Sequence, residues 1–428
     1  MNISLVPAQT FRGRLTVPGD KSISHRALML GAIAEGETVI QNLAPGEDVR
    51  STMRCLRQLG VSIQENKTEL RVQGKGFVGL KKSATPLDAG NSGTTMRLLS
   101  GILAAQPFDA TITGDASLQH RPMRRIIEPL TQMGAMISSR ENGCAPLVIH
   151  GGKLRGIHYQ LPVASAQVKS CVLFAGLSAE GKTVVEEKIP TRDHSERLLS
   201  LMGAGISVSS KQYSVISVRA GKLHGSEIEV PGDFSSAAFF IAAALLLPDS
   251  ELMIENVGIN PTRTAFLEVL REMGATVEIT NLRNESYEPI ADLIVRHQTL
   301  RGTKVFGNRI ALLIDEIPIL AVLATQAEGE THIREAGELR VKESDRLAAL
   351  AHNLRAMGAA VEELPDGLVI TGPTKLRGAA IDSFGDHRIA MAFAIAGLLA
   401  DSPTTICAAE CADVSFPGFF EMVGRLVR

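Results

Sequence analysis

Tryptophan is absent from this chain and tyrosine occurs only three times. A surface that grips nucleic acid by stacking bases on aromatic rings therefore has little to work with. Net charge is equally scarce. The 44 Lys and Arg against 46 Asp and Glu leave −2, which gives no general pull toward nucleic acid or an anionic membrane. Long apolar runs are missing too. Ala237–Leu247 and Ile389–Ala400 are the longest, well short of the ~20 residues that span a bilayer. Met1 to Gln9 lacks a basic stretch followed by an apolar core, so no signal peptide is expected and the cytoplasm is the expected compartment. Cysteine is sparse: Cys55, Cys144, Cys171, Cys407 and Cys411 make an odd count without a Cys-x-x-Cys. Reduced thiols are expected, and Cys407 and Cys411 lack a neighbouring histidine for a zinc site.

What the chain does contain is repetition. Val17-Pro18-Gly19-Asp20 returns as Val230-Pro231-Gly232-Asp233, almost half of the 428 residues later. Two domains follow from length and from this repeat, and a cleft between similar halves is a usual place for a ligand. A finer period lies inside. Helix-like segments end at Gly60, Gly134, Gly203, Gly274 and Gly358, with a degenerate sixth at Phe420–Gly424. The spacing is about 70 residues, as in an array of equivalent supersecondary units. A second, almost wholly apolar helix is expected in each unit, starting near Ser24, Gly93, Ser165, Ser235, Asp315 and Asp386. Glu-Gly-x-Thr signals at Glu35, Glu180 and Glu328 end several of these helices and open a strand.

The polar residues of the apolar helices gather at their N-terminal ends, where unpaired N–H groups favour anions. Capping accounts for Ser, Asn and Asp there. It does not account for Lys21, Arg26, Arg97 and Arg388. Asp20–Arg26 places two cations and two hydroxyls on one turn, suited to phosphate or carboxylate, though a solvated basic turn reads equally well. Ala89–Thr95 is a small-residue loop that either approaches a ligand at Gly93 or simply turns. Arg121, before Pro122, is held extended. Arg340–Arg346 alternates charge on a helix-like segment, the pattern of a face of surface ion pairs. Asp315, Glu316 and the triplet Asp386-His387-Arg388 read as bases or as caps.

Together, Pro18–Arg26, Gly90–Thr94, Arg121-Pro122, Ser165-Ala166-Gln167, Arg340–Arg346 and Asp386–Arg388 fall in an order that resembles the 5-enolpyruvylshikimate-3-phosphate synthases, from about Pro18 to Pro417. The resemblance implies an α/β protein of two domains, an inside-out α/β barrel built from six βαβαββ-type repeats, the enolpyruvyl transferase fold. It places one three-repeat domain at 18–230 and the other at 1–17 with 231–428, with a hinge near 17–20 and 230–233 that closes on substrate. It implies transfer of the enolpyruvyl group of phosphoenolpyruvate to the 5-hydroxyl of shikimate 3-phosphate, without metal or organic cofactor. It implies a monomer, no nucleic-acid or membrane partner, and glyphosate as an inhibitor competing with phosphoenolpyruvate.

Position by position, Lys21 resembles the residue that contacts both substrates. Asp315 resembles the base at the substrate hydroxyl, Glu343 the group that moves protons at the methylene carbon, and His387 an assistant in proton transfer. Ser22, Arg26, Ser165, Gln167, Arg192 and Lys342 resemble the shikimate 3-phosphate contacts; Gly93, Arg121, Gln167, Arg346 and Arg388 resemble those to phosphoenolpyruvate. Ala166 stands where some members have a second serine, and Arg192 is the candidate to compensate. Val414 stands where some members have a lysine. Two other readings compete. The sister transferase acting on UDP-N-acetylglucosamine usually has a reactive cysteine where this chain has Ala116. A non-catalytic or RNA-binding scaffold would need a basic stripe or exposed aromatics.

Overall fold

The computed structural model describes residues 1–66, 69–210, 213–284 and 287–428. The chain divides into two compact units, one of Met1–Pro18 with Pro231–Arg428 and the other of Gly19–Val230.

In the Gly19–Val230 unit three four-stranded sheets share one order. The first runs Glu227–Glu229, Glu37–Gln41, Glu69–Gln73, Ser62–Glu65. The second runs Leu87–Asp88, Asp109–Thr113, Leu147–His150, Met136–Ser138, and the third His158–Gln160, Lys182–Glu187, Ser214–Arg219, Ile206–Ser210. In each, the first pair is parallel and the others antiparallel. The other unit repeats the order twice, as Arg12–Thr16, Glu251–Gly258, Ile290–Arg296, Glu278–Arg283 and as Lys304–Val305, Gly329–Ile333, Gly367–Gly372, Ala360–Leu364. Its last sheet is shortened to three strands, with Ile3–Leu5 antiparallel to Thr404–Cys407. The strand Arg12–Thr16 precedes the Lys21–Ile33 helix yet pairs with Glu251–Glu255. The strand Glu227–Glu229 precedes the Phe234–Leu246 helix yet pairs with Val39–Gln41. Each Val-Pro-Gly-Asp segment is thus where the chain leaves one sheet system for the other.

Six buried helices open the repeats: Lys21–Ile33, Gly93–Leu103, Ala166–Gly176, Phe234–Leu246, Ile317–Gln326 and His387–Leu399. The first starts at Lys21, earlier than Ser24 suggests, because Asp20 accepts from the Ile23 amide and caps it; the fourth starts at Phe234, beside Ser235 as expected, with Asp233 accepting from the Ser235 amide. The fifth starts at Ile317, after Glu316, since a separate short helix, Asn308–Leu313, occupies the chain before Asp315. Small residues let these helices pack closely. A Cβ on Gly101 would lie 2.2 Å from the Cys171 carbonyl oxygen, so the second and third helices cross there at backbone contact. Three helices use one device against the following strand. Gly31, Gly176 and Gly397 face Thr38, Thr183 and Thr404, at 3.1, 2.8 and 3.1 Å from a would-be Cβ.

The amphipathic helices end as expected at Gly60, Gly134, Gly203, Gly274 and Gly358, all with φ between 83° and 104°. The degenerate sixth differs. Gly424 lies inside the Phe419–Leu426 helix, which Val427 ends with extended backbone, so this glycine makes no left-handed stop.

Candidate active site

In the Gly19–Val230 unit three helix starts are bolted together by side chains. Lys21 occupies the first turn after the Asp20 cap, and its Nζ donates to Asp48 Oδ2 at 3.0 Å. Arg26 is only 2% exposed. It donates to the Ser22 carbonyl at 2.8 Å, to Ser195 Oγ at 2.7 Å and to Ser170 Oγ at 2.8 Å, tying the first helix to the third. Arg97 does the same between the second helix and the third. Its Nη1 donates to Gln167 Oε1 at 2.6 Å, while Gln167 Nε2 donates to Thr94 Oγ1 at 2.9 Å. Two of the cations that capping could not explain are therefore held by neutral groups of the protein itself.

Gly93 is the first residue of its helix, after the Ser92 cap. A Cβ there would sit 3.0 Å from Arg97 Nη1 and 3.1 Å from Arg121 Nη2. The loop is small because two guanidiniums lie over it. Arg121 is extended (φ −77°, ψ 139°), as Pro122 requires, and donates to the Asn91 carbonyl at 3.3 Å. Ser165 caps the third helix and accepts from the Val168 amide at 3.4 Å. Arg192 is half-buried between the Lys182–Glu187 strand and the His194–Leu201 helix.

The ends of that 188–193 segment are pinned by a residue the sequence reading missed. Lys169 Nζ lies 3.0 Å from Glu187 and 2.6 Å from Glu196, all three buried. Burial opposes the ammonium, but the two carboxylates outweigh it and hold Lys169 above its ordinary value. Burial pushes Glu196 up, since one cation serves two acids. A lysine inside an otherwise apolar helical run was the available signal.

In the other unit one guanidinium gathers three carboxylates. Arg346, 1% exposed, donates to Asp386 Oδ2 at 2.7 Å and to Glu343 Oε2 at 2.7 Å, and lies 3.6 Å from Asp315 Oδ1. Asp386 caps the His387–Leu399 helix, accepting from the Arg388 amide at 2.9 Å. Burial raises its pKa, but Arg346 wins and the carboxyl stays below its usual range. His387 is buried with Nδ1 4.0 Å from Asp386. Arg388 Nε lies 3.3 Å from the same Asp315 oxygen. Lys342 stands beside these acids, and burial lowers it to about 8 against the upward pull of Asp315 and Glu343.

The Arg340–Arg346 run is not one helix. A 3₁₀ turn ends at Val341 and the next helix begins at Arg346, capped by Asp345, so Lys342, Glu343 and Ser344 fall in the break. The ion-pair face expected of the run is realised by Arg340, which pairs with Asp345 at 2.8 Å and Glu363 at 2.9 Å. Val414 closes the short turn Ala409–Val414. A second network was also missed: Arg263 donates to Asp233 Oδ1 at 2.7 Å and to Ser235 Oγ at 2.9 Å, and Ser235 donates on to Glu316, next to Asp315.

Each unit thus presents fixed cations beside hydroxyl or carboxylate groups, the inventory for anionic substrates and proton transfer. The family model for EPSP synthase (3-phosphoshikimate 1-carboxyvinyltransferase) matches residues 6–423. A 3-phosphoshikimate 1-carboxyvinyltransferase of Synechococcus sp. (strain JA-3-3Ab) is 55% identical, over 99% of this chain and 96% of its own. One of Synechocystis sp. is 56% identical, over 99% and 96%. A solved EPSP synthase structure from Acinetobacter baumannii superposes with a TM-score of 0.87 at 47% identity, covering 100% of this chain and 98% of that one. With that fold, that coverage and these clusters, the chain belongs to the EPSP synthase family, the 3-phosphoshikimate 1-carboxyvinyltransferases.

Proposed function

We propose that the two polar clusters divide between them the steps of the family's reaction. The chain transfers the enolpyruvyl group of phosphoenolpyruvate to the 5-hydroxyl of shikimate 3-phosphate. The hydroxyl loses its proton as its oxygen bonds to the central carbon of phosphoenolpyruvate, and the methylene carbon gains a proton. A tetrahedral adduct results. A proton then leaves the new methyl group, the carbon–oxygen bond to phosphate breaks, and phosphate departs.

Asp315 takes the hydroxyl proton, and Glu343 moves the proton at the methylene carbon, with His387 assisting. The observation that carries this assignment is the sharing of Arg346 by Asp315 and Glu343. A buried guanidinium between two acids fixes both without consuming either. Lys21 contacts both substrates and protonates the departing phosphate. Ser22, Arg26, Ser165, Gln167, Arg192 and Lys342 hold shikimate 3-phosphate, and three of the five Arg26 N–H groups, donated to Ser22, Ser170 and Ser195, fix that guanidinium in place. Gly93, Arg121, Gln167, Arg346 and Arg388 hold phosphoenolpyruvate, and glyphosate competes there. Ala116 speaks against the sugar-nucleotide reaction. Among the described residues no helix is long and apolar enough to cross a membrane. A cytoplasmic monomer is the form proposed.

The test is phosphate release from phosphoenolpyruvate with shikimate 3-phosphate or UDP-N-acetylglucosamine as acceptor. Release with the shikimate compound alone is expected; release only with the sugar nucleotide would overturn the acceptor assignment.

A further inference from the structure

Two of the three helix starts in the Gly19–Val230 unit are joined to the third by charged side chains, Arg26 and Arg97. The remaining edge, from the Lys21 turn to the glycine loop, is closed by uncharged groups. His25 Nδ1 lies 2.7 Å from Thr52 Oγ1, and Thr52 Oγ1 lies 2.7 Å from Thr95 Oγ1. Thr95 Oγ1 donates to Ser92 Oγ at 2.8 Å, and Ser92 Oγ also accepts from the Thr95 amide at 3.1 Å. His25, Thr52 and Thr95 are completely buried and Ser92 is 1% exposed.

The chain has a direction. Burial, helped by Lys21 and Arg26, holds His25 well below its usual range, so the ring carries one proton. Its Nε2 is buried without a hydrogen-bond partner. An orphaned N–H is costlier than an orphaned lone pair, so the proton belongs on Nδ1. His25 then donates to Thr52, Thr52 to Thr95, and Thr95 to Ser92. The Ser92 hydroxyl proton is left over next to Gly93, at the cap of the second helix. Asp48 braces the same edge, with its carboxylate on Lys21 and its carbonyl 3.5 Å from Thr95 Oγ1.

We propose that His25, Thr52 and Thr95 are positioning residues, a one-way hydrogen-bond chain that fixes the glycine loop to the Lys21 turn and orients Ser92 as a donor toward the anion held at Gly93. The inference rests on the reading that Lys21 and the Gly93 loop hold the substrates. Cutting the chain at its middle loosens the loop without removing any group that touches substrate.

Thr52→Val keeps the shape and deletes the hydroxyl; Thr52→Ser keeps the hydroxyl. Steady-state kinetics with each substrate varied, beside a melting curve for each variant, decide the matter. The expected result is a roughly tenfold rise in KM for phosphoenolpyruvate in Thr52→Val, about the net worth of one buried hydrogen bond. A smaller change in KM for shikimate 3-phosphate and near-complete rescue in Thr52→Ser should accompany it. Equal loss in both variants would mean packing alone matters. A lowered melting point with unchanged KM would mean a purely structural bond. Either result overturns the proposal. Lys21→Met serves as the control. If it leaves both KM values unchanged, the reading of the Lys21 turn fails; if it raises them while Thr52→Val matches wild type within twofold, only the hydrogen-bond chain fails.

Discussion

Arg388 holds Asp315 at two points, with Nε 3.3 Å from the carboxylate Oδ1 and Nη1 donating to the backbone carbonyl at 3.1 Å. Side chain and backbone of the proposed base are clamped by one planar group. Arg388→Lys, a point charge on a flexible stem, cannot span both. It should lower kcat about 10- to 100-fold. Asp315→Asn should cut turnover further while leaving shikimate 3-phosphate affinity within a few-fold, as equilibrium titration would read. Unchanged turnover in Asp315→Asn would refute the base assignment.

Lys342 gives the site a pH signature. Its pKa of about 8, against an ordinary 10.5, means that above pH 8 the free enzyme carries it mostly neutral. A bound phosphate favours the ammonium, so binding at pH 8.5–9 takes up a proton, and shikimate 3-phosphate affinity falls as pH rises through 8. Calorimetry in buffers of different ionisation enthalpy should detect the uptake, and Lys342→Met should abolish it. The same depression makes the lysine's contribution to folding unfavourable below pH 8, a penalty that lifts as pH climbs toward 10.5.

Gly93→Ala should act on one substrate. The new methyl, 3.0 to 3.2 Å from the Arg97 and Arg121 guanidiniums, forces them to shift by a few tenths of an ångström. KM for phosphoenolpyruvate should rise at least severalfold with little change for shikimate 3-phosphate. Equal effects on both would place Gly93 elsewhere in the reaction.

Thr38, Thr183, Thr331 and Thr404 are fully buried with hydroxyls that lack a hydrogen-bond partner. Valine has the same shape without that cost. Each Thr→Val substitution should raise stability by about 1 kcal/mol in chemical denaturation, leaving activity intact. A loss of stability would show that the hydroxyls are satisfied in solution.

The helix stops were legible because a left-handed residue after a helix almost demands glycine, and Gly60 through Gly358 obey that local rule. Gly424 broke it by lying within a helix, where glycine is merely tolerated. The first helix begins at Lys21, three residues ahead of Ser24, because Ser24 is also a good cap and Asp20 is the one that accepts from the Ile23 amide. The candidate site residues stood out in the sequence as polar groups, many of them at helix starts, but their partners did not. Gln167 and Arg97 lie seventy positions apart, and nothing local says that the arginine is spent on an amide. For Lys342 and Glu343 the charge alternation fits one continuous helix equally well, so the break that holds them before Arg346 was not legible.

The exchange of strands at the two Val-Pro-Gly-Asp segments has a consequence for biosynthesis. Residues 19–230 contain every strand of their own sheets, so a ribosome can release that unit in a state able to finish folding. Residues 231–428 do not. Glu251–Gly258 needs Arg12–Thr16, and Thr404–Cys407 needs Ile3–Leu5, segments made first and left waiting while the rest is synthesised. Such distant pairings are slow to form. The leading eighteen residues are therefore the last stitch, and a chain shortened at its beginning should fail in the half of the molecule farthest from the cut in sequence.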